Sequence, residues 1–229
     1  MGKILTVKNL SVSLDGEPIL EGIDFSVDRG QTLVILGPNG AGKTILLKAL
    51  AGLLPHRGEV TWSEDVVIGY VPQRVPLDKD LPVTVQEFFG LKRIGPAEAA
   101  KVLQQVGIED PSFLKREIGK ISSGQFQRVL IAWALAGDPN ALLFDEPMAG
   151  IDVGGEETVY ELLQKVQKER RLTVLLVTHE LTAVYRQATN ILCLNKKMIC
   201  FGPPTEILTP ANLQEVFGKG TKYFLHDHG

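Results

Sequence analysis

The sequence predicts an α/β protein with a mainly parallel central sheet. Short, almost wholly apolar runs recur at 31–36, 141–144 and 172–177, as strands buried on both faces require. Segments with helical apolar spacing alternate with them, at 45–54, 96–107, 122–136 and 156–171. Such alternation is the pattern of parallel strands joined by crossover helices. A glycine-rich turn, starting at Gly37, links the first run to the first helix.

In chain order, Leu5, Val7, Leu10, Val12 and Leu14 alternate weakly, and Asp15-Gly16-Glu17-Pro18 reads as a turn. The chain therefore opens on an antiparallel hairpin. After the strand at 31–36 and its turn, Leu46, Leu47, Leu50 and Leu53 define one helix face. Residues 58–62 and 66–71 read as further strands. Between 84 and 138 the chain changes character. Pro96–Gly107 and Ser122–Ala136 read as helices, the second with a capped start, within a mainly helical insertion. Ala141–Phe144 is a strand, Glu156–Arg171 an amphipathic helix, and Leu172–Val177 a strand. Ile191–Leu194 and Met198–Phe201 flank Asn195-Lys196-Lys197 as a hairpin. The expected organisation is a single domain over 1–229, with a helical subdomain at 84–138 and a C-terminal hairpin and tail at 190–229. No internal repeat or low-complexity segment interrupts it.

The 229 residues, 44% hydrophobic and 22% charged, exclude a disordered or collagen-like chain. Lys plus Arg number 24 against 27 Asp plus Glu, a net charge of −3. That balance lacks the overall electrostatic footprint of a nucleic-acid binder, so no nucleic-acid partner is expected. The two cysteines, Cys193 and Cys200, are too few for a disulfide scaffold. They are expected as free thiols of a reducing cytosol, packed as small apolar residues on paired strands. The N-terminal residues lack the apolar core of a signal peptide. The longest apolar stretch, Val129–Gly137, falls well short of the roughly 20 residues of a membrane span. A membrane role would pass through a partner.

Gly37-Pro38-Asn39-Gly40-Ala41-Gly42-Lys43-Thr44 carries two glycines, Lys and Thr at the spacing of a phosphate-binding loop. Glycines let successive N–H groups converge on one anion, and the following helix directs its positive end there. Lys43 supplies a point charge for the outer phosphates, and the Thr44 hydroxyl a ligand for Mg²⁺. The apolar strand 142–144 ends in Asp145-Glu146, placing carboxylates at the C-terminal sheet edge where α/β proteins bind ligands. Asp145 is expected to hold Mg²⁺, directly or through water, and Glu146 to orient or deprotonate a water.

With these residues in place, further segments resemble the nucleotide-binding subunits of ATP-binding-cassette (ABC) transporters, in that family's order. Val71-Pro72-Gln73 resembles the glutamine loop, and Ile121-Ser122-Ser123-Gly124-Gln125 the signature that heads a helix. Pro147-Met148-Ala149-Gly150-Ile151-Asp152 resembles the aspartate loop, and Thr178-His179-Glu180 the histidine switch. The resemblance implies a P-loop NTPase core of the ABC-ATPase type. That core is a mixed sheet flanked by helices, with an N-terminal antiparallel region and a helical insertion. It implies that ATP with Mg²⁺ is bound and hydrolysed. Gln73 would offer its oxygen to the ion or the attacking water, and His179 would donate to the γ-phosphate. It also implies a head-to-tail homodimer, in which Ser122, Ser123, Gly124 and Gln125 of one copy close over the phosphate loop of the other. Asp152 would lie in the loop linking the two sites. Two departures stand out. Leu14 occupies the place of an adenine-stacking aromatic and can pack on a base with less stacking. Ser123 occupies the place of a Gly, where its side chain either crowds the phosphate or adds a hydroxyl.

A narrower resemblance is to bacterial zinc and manganese uptake systems. It is carried by Tyr70-Val71-Pro72-Gln73-Arg74, Leu81–Val85, Leu192–Asn195, Phe201–Pro204 and Val216-Phe217-Gly218. It implies transmembrane permease subunits as partners and, indirectly, an extracytoplasmic metal-binding protein. The chain itself would then be peripheral on the cytoplasmic face of the cell membrane. A soluble scaffold ATPase of the same superfamily, serving for example iron–sulfur cluster assembly, is the alternative. His226 and His228 in the tail offer imidazoles that either bind a transition metal weakly or stand in solvent.

Overall fold

A computed structural model describes residues 2–73, 75, 80–146, 153–178, 184, 185 and 187–218, with 153–159 described by backbone alone. β1 (Lys3–Leu14) and β2 (Glu17–Asp28) form the expected hairpin around Asp15 and Gly16, both at positive φ. Positive φ at both central residues matches the twist of the paired strands. β4 (Arg57–Trp62) pairs antiparallel with the other edge of β1, giving a sheet of order β2-β1-β4.

A second sheet contains β3 (Thr32–Leu36), β5 (Ile68–Val71), β6 (Ala141–Asp145), β7 (Thr173–Val177), β8 (Asn190–Asn195) and β9 (Lys197–Gly202). Its order is β5-β6-β7-β3-β8-β9, parallel except for β9. Every residue of β3, β6 and β7 is buried, because both faces are covered. Val34, Leu36, Leu142 and Phe144 point into a core shared with Phe89, Val102, Val129 and Leu130 of the helical region. Leu33, Ile35, Leu143 and Leu175 point the other way, onto Leu10, Phe25, Leu46 and Leu47. The alternation of strand side chains thus ties the antiparallel sheet and α1 to one face and the helical region to the other.

The helices placed among the described residues include α1 (Lys43–Leu50), α2 (Val85–Gly90), α3 (Pro96–Gln105), α4 (Ser123–Leu135), α5 (Val153–Arg170), α6 (Pro204–Ile207) and α7 (Pro210–Phe217). Thr84 and Glu87 cap α2 reciprocally, and Pro96 opens α3, where its missing N–H costs nothing. α1 stops four residues before the end of its apolar spacing. Gly52 turns left-handed, and the N–H groups of Gly52 and Leu53 close onto Ala49 and Lys48, leaving Leu53 58% exposed. α6 and α7 fall in what the sequence presents as a hairpin and tail. They are too short for periodicity to register, but each starts at a proline, and α7 buries Leu213 and Val216 against the sheet. No helix among the described residues is long and apolar enough to cross a membrane.

One expectation is overturned. Cys193 and Cys200 do lie on paired strands, but they are joined by a disulfide rather than free. The hairpin register sets them directly opposite each other, with Cα atoms 4.9 Å apart, inside the bridging range.

Candidate active site

At the C-terminal edge of the parallel sheet lies a cleft of about 820 Å³. It is lined by the whole stretch Gly37–Ile45, with Ile19, Gln73, Glu146 and Phe217. β3 delivers the loop, and β5, β6 and β7 run parallel beside it, so Gln73 and the acidic pair arrive at the same edge.

The loop shape depends on glycine at two positions. A Cβ on Gly37 would stand 2.1 Å from the Leu194 carbonyl oxygen. Gly42 sits at φ 94°, and a Cβ there would meet the Leu20 side chain. Gly42 is also the N-cap of α1, with no side-chain cap, and the first turn of α1 carries no acidic residue. The opening N–H groups of α1 therefore remain to bind an anion, reinforced by the helix dipole.

Lys43 is buried, with its ammonium donating to the carbonyls of Gly37 (2.9 Å) and Pro38 (3.0 Å). Glu146 lies 3.8 Å from it. Burial pulls the Lys43 pKa down, opposed by the charges of Glu146 and Asp145. Asp145, 1% exposed, accepts from the Thr44 hydroxyl at 2.9 Å. Burial pushes its carboxyl pKa up. The Thr44 hydrogen bond opposes that rise, the Glu146 charge adds to it, and Lys48 and Tyr70 oppose it. Tyr70 reaches the other Asp145 oxygen at 3.5 Å, and burial followed by the Asp145 charge raises the phenol pKa. Gln73 donates its amide N–H to Glu146 at 2.7 Å. Glu146 itself has φ 45°, with its N–H held by the Val177 carbonyl. A non-glycine residue in that region is strained, and such strain collects at functional sites.

Two neighbouring oxygens at this corner suit Mg²⁺, a hard ion that prefers oxygen ligands. The Thr44 hydroxyl and the Asp145 carboxylate, hydrogen-bonded to each other at 2.9 Å, are the two that would hold it.

The other site candidates lie elsewhere. Ser122 caps α4, its hydroxyl accepting from Gln125 N–H while the Gln125 side chain accepts from Ser122 N–H. Ser122 and Ser123 are exposed, Gly124 and Gln125 half-buried, and none of the four lines the cleft. Leu14 ends β1 opposite Glu17, also outside the lining, which instead includes Ile19. Asp152, His179, His226 and His228 lie outside the described residues. Thr178, just before His179, is buried with its hydroxyl 2.9 Å from that of Tyr160. Ile19, Tyr70 and Phe217 were not identified as site residues from sequence. Tyr70 carried a signal in its place three residues before Gln73, in the run 66–71 that reads as a strand. Ile19 is a single apolar residue without a motif, and Phe217 stands in Val216-Phe217-Gly218, a family likeness with no nucleotide role attached.

The sequence family described as ABC transporter matches residues 20–149. A zinc import ATP-binding protein from Ruegeria sp. is 38% identical over 96% of this chain and 88% of its own length. The protein of the same description from Magnetococcus marinus is 39% identical over 94% and 83%. Among solved structures, one assigned to the metal-chelate type of ABC transporter, in an inward-facing conformation, superposes with a TM-score of 0.83. It is 28% identical and covers 98% of this chain and 94% of that one. Another, CbiO1 from Clostridium perfringens, part of an ABC transporter complex, has a TM-score of 0.76 at 28% identity and covers 94% of each chain.

Proposed function

Because the chain belongs to the ATP-binding family of ABC transporters, we propose that it hydrolyses ATP to energise a membrane importer of zinc or manganese ions. The relatives named for zinc import, at 38% and 39% identity, support the metal, with manganese resting on the sequence resemblance alone. The observation that carries the reading is the convergence of Lys43, Thr44, Gln73 and Glu146 on one cleft, with the buried Asp145 bonded to Thr44, beside an uncapped helix start.

In this reading the N–H groups of residues 40–45 bind the β- and γ-phosphates. Lys43 transfers its ammonium from the Gly37 and Pro38 carbonyls to phosphate oxygen. Thr44 and Asp145 hold Mg²⁺, which supplies charge neutralisation at the phosphates when bound. Glu146 accepts a proton from, or orients, the attacking water, and Gln73 fixes the Glu146 carboxylate through its 2.7 Å hydrogen bond. His179 donates to the γ-phosphate, Asp152 serves the loop that links the two sites, and Ser122, Ser123, Gly124 and Gln125 act from the second copy of a homodimer. Residues 1–229 form one ATPase domain, with 84–138 as its helical subdomain. The chain sits on the cytoplasmic face of the membrane against permease subunits, with an extracytoplasmic metal-binding protein engaged only through them.

The test is reconstitution with its cognate permease and metal-binding protein. Zinc- or manganese-loaded binding protein is expected to raise phosphate release from Mg-ATP. Turnover indifferent to every divalent cation offered would remove metal import. Failure of the purified chain to bind ATP at millimolar concentration would remove the ATPase reading itself.

A further inference from the structure

We propose that Cys193 and Cys200 form a thiol–disulfide exchange site whose state is transmitted to the phosphate loop, and so to nucleotide affinity. The proposal rests on the cleft being the nucleotide site. The pair lies on the strand that supports the loop. β8 is the parallel neighbour of β3, and Cys193 stands opposite Leu36, the residue before Gly37. The next residue of β8, Leu194, presents the carbonyl that permits only glycine at 37. Two residues further on, Lys196 N–H donates to the Ala41 carbonyl at 3.0 Å, and the Lys196 carbonyl accepts from Glu21 at 3.0 Å. The middle of the phosphate loop is thus tied to the β8–β9 turn.

The ladder between β8 and β9 shifts register between Cys193 and Leu194. Cys193–Cys200 is the pair immediately before that irregularity. A covalent bond there fixes the base of the turn that carries Lys196. Without the bond, the turn relies on the few pairs beyond the shift, and its contact with Ala41 is less constrained. A metal role for the pair has little support, since the described residues contain no group of three or more His, Cys, Asp or Glu that could hold an ion.

Exposure sets the order of chemistry. Cys193 is 1% exposed and Cys200 half-buried, so an incoming reagent meets Cys200 first. Cys200 thiolate attacks a low-molecular-weight disulfide, RSSR, forming a mixed disulfide and releasing one thiol. Cys193 thiolate then attacks the Cys200 sulfur, forming the internal bond and releasing the second thiol. Two protein thiols plus RSSR become one protein disulfide plus two RSH, and a reducing thiol reverses the sequence at Cys200. In a reducing compartment, a bridge of this kind is transient or sensing rather than structural.

The test equilibrates the whole chain in glutathione buffers of graded oxidised-to-reduced ratio. Intact mass follows the bond, and a fluorescent ATP analogue reports affinity in each state. The oxidised chain is expected to bind the analogue about fivefold more tightly, the factor equivalent to one net hydrogen bond. Cys200→Ala should lose the redox dependence and take up no glutathione. Cys193→Ala should stop at the mixed disulfide with glutathione. Both replacements are small and apolar, and the wild-type titration needs neither. Failure of the internal bond to form at any ratio overturns the proposal, as does equal affinity in the two states. If neither state binds the analogue, the nucleotide-site reading falls with it.

Discussion

Around Gly37–Thr44 the functional groups hold one another, with Lys43 and Asp145 buried and Thr44, Gln73 and Glu146 half-buried, whereas Ser122 and Ser123 stand in solvent beside half-buried Gly124 and Gln125. Lys43 is held by two carbonyls and faced by Glu146, Thr44 is bonded to Asp145, and Gln73 to Glu146. The Ser122–Gln125 segment satisfies only itself, through a reciprocal cap. The first region is preorganised within a single chain by hydrogen bonds and ion pairs among its own groups. The second is a helix start on the surface, which acts on a phosphate only when another molecule brings one to it. One half of the proposed catalytic machinery is therefore a property of the fold, and the other of assembly.

Removing the charge of Glu146 should separate these halves most sharply. Glu146→Gln keeps the size and the hydrogen-bonding reach to Gln73 but no longer accepts a proton. Phosphate release is expected to fall by about 10²- to 10⁴-fold, the contribution of a positioned general base. ATP binding should persist, and size-exclusion chromatography with Mg-ATP should show an accumulated dimer. Unchanged turnover would take Glu146 out of the chemistry. Lost turnover with no dimer would leave the corner intact and break the assembly half.

A pair of glycine replacements tests the same contrast with smaller effects. At Gly37 an added methyl meets the Leu194 backbone, so Gly37→Ala should cost on the order of 1–3 kcal/mol of stability along with ATP affinity. At Gly124 an added methyl meets nothing within 4 Å in the single chain. Gly124→Ala should leave the melting temperature unchanged or slightly raised and monomer ATP binding intact. Turnover should nevertheless fall by about 10- to 100-fold, because the N–H groups at the start of α4 lose their close approach to a phosphate across the dimer. Calorimetric melts beside ATPase rates distinguish the two. Equal activity in Gly124→Ala would mean that this segment never meets the nucleotide.

The same contrast explains what could be read from sequence. The corner was legible because its geometry follows from residue types at fixed spacing on neighbouring parallel strands. Gly37–Thr44 and Asp145-Glu146 needed no tertiary information to be paired. Ile19 and Phe217 were missed because they reach the cleft by packing alone, from β2 and from a short C-terminal helix without detectable period. Leu14, placed at the base by family likeness, lies outside the cleft lining. The cysteine pairing was half legible. The turn at 195–197 predicts the hairpin, but composition and expected compartment argued for thiols, and only the register reveals the bond.

The smallest effect concerns what preorganisation costs. Burial raises the Asp145 pKa, so the folded chain binds a proton there more readily than the unfolded chain does. Between the ordinary carboxylate value and the raised one, stability falls as pH rises, and the penalty is complete at higher pH. Burial lowers the Lys43 pKa, so the sign reverses. Its penalty is present at neutrality and is relieved as pH climbs from the lowered value toward the ordinary amine value. Asp145→Asn removes the first penalty while keeping an oxygen for the Thr44 hydroxyl. At neutral pH the variant should melt about 2–4 °C higher than the parent, a shift equivalent to roughly 1 kcal/mol in a domain of this size. The difference should shrink as pH falls through the carboxylate range. Mg-dependent hydrolysis should be lost in the same variant. The buried carboxylate would then be retained for its chemistry and against the stability of the fold. An Asn variant that melts lower at every pH would mean instead that the Thr44–Asp145–Tyr70 contacts outweigh the cost of burying the charge.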